Sequence, residues 1–172
     1  MAQSQIILLG VKHVCDFSKQ IESSLNKLKP DIICVESDEE EFFHRVDTEK
    51  FPLWIKLYSK YQKIRAKMYG KPSGHEFKTA INYAAEYEIP YEIIDMNLDT
   101  ILNETRKGPF NFFKHFLLHE RNQFMTNKLK GIVKNYRTVV VLVGFVHLEG
   151  MSKILKSMDI PVRSINLTKR DF

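Results

Sequence analysis

The chain has 172 residues, of which 44% are hydrophobic and 27% charged, and it carries a net charge of +5 at pH 7. These values are typical of a folded soluble protein and exclude an intrinsically disordered chain; no apolar run approaches the roughly 20 residues that a membrane-spanning helix needs. Two cysteines, Cys15 and Cys34, and the absence of a visible secretory signal lead us to expect a reducing, cytoplasmic location.

Short apolar runs alternate with helical stretches along the whole chain. The runs are continuous, which is typical of strands buried on both faces. They lie at residues 5–10, 31–36, 91–95, 138–144 and 161–167. Helices are predicted at residues 17–30, 38–46, 51–69, 73–88, 98–104 and 110–134, and from 147 onward. We therefore predict an α/β fold, an open and mostly parallel sheet covered by helices on both faces, formed by residues 1–172 as a single domain.

The predicted helix at 51–69 is rich in lysine and tyrosine. Its sequence, from "WIKLYSKYQKIRAKMYGK" at 54–71, could meet phosphates. Its apolar residues recur every three or four positions, at Trp54, Leu57, Tyr58, Tyr61, Ile64 and Met68. We favour an amphipathic helix with a solvated basic face over a nucleic-acid surface. Tyrosines left exposed on this helix would support a homodimer.

Two strands end in the same Gly-x-x-His pattern, Gly10/His13 after the first and Gly144/His147 after the fourth. The composition predicts fewer than one such match by chance. Glycine lets the chain turn sharply or lets a ligand approach the backbone. Open parallel sheets bind ligands beyond the carboxyl ends of their strands. The polar residues expected there are His13, Glu36, Asp95 and His147.

These residues also have structural interpretations. For either histidine taken singly, a structural role, as a helix cap or as a hydrogen-bonded core residue, is as well supported as a functional one. Glu36 follows the apolar run "DIICV", where a carboxylate is costly to bury unless a cation or metal ion accompanies it. A functional role is therefore better supported for Glu36 than for the histidines taken singly.

The long helix at 110–134 places charged residues among apolar ones. Phe113, Leu117, Glu120 and Phe124 share a stripe by their spacing, so we predict that Glu120 points inward with Arg121 as its companion. An inward Glu or Arg in a helix packed on a sheet has a partner in a site or in a buried ion pair.

Four segments resemble the TraB/PrgY family in order: "LLGVKHV" (8–14), "DIICVES" (31–37), 73–102 and 120–151. That family is related to the TIKI Wnt-inactivating proteases and more distantly to ChaN and the erythromycin esterases. The resemblance implies an EreA/ChaN-like α/β domain with a metal-dependent hydrolase site. On the family pattern the site residues would be His13, Glu36, Glu76, Arg121 and His147. Glu76 also fits a capping box with Ser73.

Two functions are consistent with these residues. The first is a metal-dependent peptidase, amidase or esterase, in which two or three of the ligand candidates hold Mn²⁺, Co²⁺ or Zn²⁺. The candidates are His13, Glu36 and His147, with Glu76 as a further one. Glu76 or Glu120 would take a proton from the bound water, and Arg121 would orient the carboxylates or bind substrate. The alternative is a non-catalytic regulatory module that binds a peptide or small molecule, as in pheromone shutdown.

Overall fold

A computed structural model describes residues 4–12, 16–36, 52–69, 74–96, 100 and 118–168. The strands are β1 (Gln5–Val11), β2 (Ile32–Val35), β3 (Tyr91–Ile93), β4 (Thr138–Gly144) and β5 (Val162–Asn166). The helices are α1 (Ser18–Leu28), α2 (Leu53–Tyr69), α3 (His75–Glu86), α4 (Arg121–Ile132) and α5 (Leu148–Ser157). The helix predicted at 38–46 lies outside the described residues, as do most of 98–104 and the first part of 110–134.

The strands form one sheet in the order β3-β2-β4-β1-β5. Every pairing between neighbours is parallel. β1 and β4 are buried along almost their whole length, which agrees with their continuous apolar sequences. The predicted open parallel α/β fold is confirmed.

Successive strand residues point to opposite sides of the sheet, which gives it two apolar faces. Helices cover both of them. Ile6 and Leu8 of β1 face α4 and α5, and their layer includes Met125, Leu129 and Met151. The alternate residues of β1 point to the other face, toward α1 and α3. That second layer includes Ile7, Leu9, Ile21, Leu25 and Phe77.

The chain order makes the carboxyl end of β4 a topological switch point of the sheet. β4 lies between β1 and β2. The helices α1 and α3, which follow β1 and β2 in the chain, pack on one face of the sheet, whereas α5, which follows β4, packs on the other. Chain segments that leave neighbouring strands toward opposite faces open a gap between them, which is where α/β sheets bind ligands.

Helix α2 does not bury its apolar stripe as the amphipathic pattern suggested. Ile55 and Ser59 are buried, whereas Leu57, Ile64 and Met68 are exposed. The stripe and the buried side therefore lie on different faces of the helix. Periodicity identifies a stripe but not what it packs against; the lysines, which were predicted to be solvated, are exposed.

Cys34 lies in the core of β2, completely buried. Burial, and next to it the charge of Glu92, raises the pKa of the Cys34 thiol to about 12. Because the thiolate is the reactive form, we expect a Cys15→Ser variant, whose single thiol is Cys34, to resist an aromatic disulfide reagent at pH 8. The same variant unfolded in guanidinium should react with one equivalent. Rapid labelling of the folded variant would contradict the placement of Cys34.

Candidate functional site

Backbone hydrogen bonds fix two acidic residues just past the ends of β2 and β3. The Glu36 amide donates to the Leu142 carbonyl at 3.0 Å. The Asp95 amide donates to the Glu36 carbonyl, also at 3.0 Å. The parallel ladder thus continues beyond the strands, and it holds both carboxylates in register at the carboxyl edge of the sheet.

Arg121, the first residue of α4, joins the two acids. Its Nε and Nη2 donate to Asp95 Oδ1 and Oδ2 at 3.0 and 2.6 Å, which is the side-on bidentate geometry that makes arginine–carboxylate pairs strong. The same Nη2 donates to Glu36 Oε1 at 2.7 Å. All three side chains are buried, so the ion pairs are formed away from bulk water.

His147 reaches the same cluster from the turn after β4. Its Nε2 lies 3.2 Å from Glu36 Oε1, and its Nδ1 lies 2.7 Å from Asn122 Oδ1. Because an amide oxygen can only accept, this placement of Asn122 favours the tautomer in which Nδ1 carries the proton and donates it to Asn122. Without a second proton, Nε2 would direct a lone pair at the carboxylate. The pair therefore needs a proton or a metal ion between Nε2 and Glu36.

The charges of the cluster favour a further cation. Within the described residues, two acidic side chains, Glu36 and Asp95, share the single guanidinium of Arg121. Burial raises the pKa of the Asp95 carboxyl; Arg121 opposes this rise, and the neighbouring Glu36 adds to it. Two acids beside a single guanidinium are a site where an additional positive charge would be stabilised.

The two glycines of the repeated pattern have different structural reasons from those predicted. Gly10 lies inside β1, paired with Val143 of β4, so it does not make a turn. A Cβ on Gly10 would lie 2.7 Å from Leu148 Cγ, which means that the absent side chain makes room for the start of α5. Gly144 has an extended backbone, with φ −56° and ψ 136°, and its amide donates to Glu36 Oε2 at 2.6 Å. The sharp-turn explanation was wrong for Gly10, whereas at Gly144 the chain does turn, from β4 directly into a 3-10 helix at Phe145–His147.

We expect Gly10→Ala to lower the free energy of unfolding by about 1–3 kcal/mol, because the new methyl group overpacks a rigid, buried contact. Leu148→Ala removes the opposing side chain. If the clash is the cause, the double variant Gly10→Ala/Leu148→Ala should be more stable than the sum of the two single effects predicts. Urea denaturation of all four proteins provides the comparison, and strict additivity would show that Leu148 is not the group displaced.

The remaining predicted site residues are His13, Glu76 and Glu120. His13, a predicted metal ligand, lies outside the described residues, as does Ser73 of the capping box. Glu76 is buried in the first turn of α3, and its catalytic role stays a prediction. The inward position predicted for Glu120 was wrong, because Glu120 is exposed and its neighbour Arg121 takes the inward direction. The spacing of apolar residues does not show that the buried Arg121 has two carboxylate partners at the edge of the sheet.

Asn122 is a residue of this cluster that sequence reasoning missed. It is buried beside Arg121 and holds the His147 ring from the side opposite Glu36. A Cβ on Gly150 would overlap the Asn122 amide, so Gly150 lets α5 approach α4 closely enough for this contact. The sequence feature that could have identified Asn122 is its four-residue spacing from Thr126, which places both residues on the inward face of α4, next to Arg121.

Comparison with known proteins finds a family match that covers most residues of this cluster. Residues 88–162 match the TraB/PrgY/gumN family. The matched range begins before β3 and ends at the start of β5, and it therefore contains Asp95, Arg121, Asn122 and His147. Glu36 and His13 lie outside it.

One curated relative extends the similarity toward the N-terminus. The uncharacterized protein MJ1365 of Methanocaldococcus jannaschii is 25% identical in an alignment that covers 91% of this chain and 55% of the relative. The chain thus spans about half the length of the curated relative that it matches. No solved structure matches the chain significantly.

Proposed function

We propose that this chain is a metal-dependent hydrolase of the TraB/PrgY type, which cleaves an amide or ester bond in a peptide or small molecule. The observation that carries the proposal is the pair formed by His147 Nε2 and Glu36 Oε1, 3.2 Å apart and both buried. Under this proposal, the whole chain forms one domain of the type that residues 88–162 match. The kinship with the TIKI proteases, ChaN and the erythromycin esterases is part of the same proposal.

The geometry of this pair fits a shared metal ion. Two ligands of a tetrahedral zinc ion, each about 2.0–2.2 Å from the metal, lie about 3.3–3.6 Å apart, slightly farther than the two atoms are here. His147 also has the support that metal-binding histidines have, because its second ring nitrogen is held by Asn122. No group of three His, Cys, Asp or Glu residues in the described ranges could hold a metal, so the proposed set needs His13 as its third member.

The protein's own residues would prepare this site. A divalent ion, when bound, supplies a Lewis acid and lowers the pKa of a bound water. Arg121 holds Glu36 and Asp95 in fixed directions, so that Glu36 needs little reorganisation to act as a ligand. The Gly144 amide fixes the other oxygen of Glu36. Glu76 is proposed as the group that accepts a proton, since it is a buried carboxyl group in the first turn of α3.

Metal titration tests the proposal. Protein purified without added metal should bind one equivalent of Mn²⁺, Co²⁺ or Zn²⁺ in calorimetry, and the loaded protein should hydrolyse at least one member of a panel of peptides, esters and amides. Chelation should remove the activity, and added metal should restore it. A protein that binds no divalent ion would refute the metal site, whatever its activity.

A specific observation also favours the alternative, a regulatory module that binds a peptide or small molecule without cleaving it. Both oxygens of Glu36 already accept hydrogen bonds, from Arg121 and from the Gly144 amide. A carboxylate satisfied in this way can be a permanent part of the fold. Binding of a peptide with no turnover, and with the same affinity before and after chelation, would favour the module over the hydrolase.

A further inference from the structure

Helix α2 exposes a continuous stripe of large apolar side chains. The stripe consists of Leu53, Leu57, Tyr61, Ile64 and Met68. Leu53 and Met68, at its two ends, are 73% and 74% exposed. At about 100° per residue, these five residues fall within about 80° of one another around the helix. Ile55 and Ser59, the buried residues, lie on the opposite side.

A row of lysines runs beside this stripe. The row consists of Lys56, Lys60, Lys63 and Lys67, all of them exposed. The centre of this row is about 90° from the centre of the stripe around the helix axis. Helix α2 contains no aspartate or glutamate, so its positive charge is not offset within the helix.

We propose that α2 binds the surface of an anionic lipid bilayer. The apolar stripe enters the boundary between headgroups and acyl chains, while the lysine row contacts lipid phosphates and carboxylates. A helix lying in the interface plane needs an apolar face flanked by lysines, and both features lie side by side on α2. Ile55 and Ser59 keep the opposite face attached to the protein, so binding requires no unfolding of the helix.

The charge of α2 decides between this occupant and two others. A second copy docked through the same stripe would bring two rows of lysines close together, and these like charges would repel each other. A nucleic acid would use the lysines but would leave aliphatic side chains such as Leu57 and Ile64 against a charged backbone. An anionic bilayer satisfies both features. No helix in the described ranges has the length and apolar content to cross a bilayer, so the contact is with the surface.

Vesicle sedimentation of the full chain tests the proposal. Vesicles of phosphatidylcholine with 30% phosphatidylserine should bind the protein, and vesicles of phosphatidylcholine alone should bind it at least tenfold more weakly. Near an anionic surface each lysine strengthens binding several-fold, so Lys56→Gln/Lys60→Gln should weaken binding to the anionic vesicles by roughly 30-fold. Leu57→Ser/Ile64→Ser should weaken it by at least tenfold without changing the overall charge.

A matched variant separates this surface from the net charge of the protein. Lys19→Gln/Lys134→Gln removes the same two charges from exposed positions outside α2, and its affinity should stay within about threefold of the parent. Equal losses in the two lysine variants, or no vesicle binding by the parent, would overturn the proposal. Binding to single-stranded RNA that Lys56→Gln/Lys60→Gln removes, together with an unaffected Leu57→Ser/Ile64→Ser variant, would reassign the lysine row to nucleic acid.

Discussion

Replacing Arg121 with methionine is expected to lower the free energy of unfolding by about 3–5 kcal/mol. The substitution keeps much of the side-chain volume but removes the guanidinium that contacts both Glu36 and Asp95. Two carboxylates would then share a buried edge of the sheet without that cation. Breaking a buried ion pair from one side is costly because the remaining charge stays desolvated, and here two such charges remain.

Urea denaturation followed by circular dichroism measures this loss. Arg137 is exposed, and Arg137→Met should change stability by no more than about 0.5 kcal/mol, as substitutions at exposed positions usually do. Arg121→Lys should have an intermediate effect, since an ammonium cannot reproduce the bidentate contact with Asp95.

The cause of the loss can be checked by neutralising the acids. The triple variant Arg121→Met/Glu36→Gln/Asp95→Asn no longer buries an uncompensated charge, so it should recover part of the stability that Arg121→Met loses. A single variant as stable as the parent, or a triple variant less stable than Arg121→Met, would show that the ion pairs do not hold this edge together.

The sheet could be predicted from the sequence because its signal is local. Runs such as residues 138–144 are apolar throughout, and only a strand buried on both faces suits such a run of that length. Parallel strands between helices bring their carboxyl ends to one edge. For that reason, Glu36, Asp95 and His147 could be grouped from the sequence alone, although they are far apart in the chain.

What could not be predicted depends on contacts between distant elements. Glu120 and Arg121 are neighbours on one helix, and only the positions of Glu36 and Asp95 determine which of them turns inward. Gly10 suggested a turn, whereas its real partner is Leu148, more than a hundred residues away. Hydrophobic periodicity also cannot tell a core-facing stripe from an exposed one, so the orientation of α2 could not be predicted.

Removing the His147 imidazole is expected to have the largest effect on the proposed activity. His147→Ala eliminates one of two adjacent donors to the ion, so the affinity for Mn²⁺ or Zn²⁺ should fall at least 100-fold and hydrolysis should be lost. Calorimetry and the substrate panel measure the two quantities. His119 is exposed, and His119→Ala should leave both unchanged. Urea denaturation of each variant would separate a lost ligand from a lost fold.

Asn122 provides a graded test of the same site, because it holds His147 without being placed to bind the ion itself. Residues that orient a ligand typically contribute 10–100-fold to metal affinity, so Asn122→Ala should weaken binding by that factor. Asn122→Asp keeps an acceptor for the Nδ1 proton and should retain more affinity than Asn122→Ala. The ¹⁵N spectrum of the ring gives a readout independent of activity, in which Nδ1 of His147 should carry a proton in the metal-free protein. A bare Nδ1 would mean that Nε2 carries the proton toward Glu36, and the histidine would then be a fixed hydrogen-bond donor to that carboxylate and not a ligand poised for a cation.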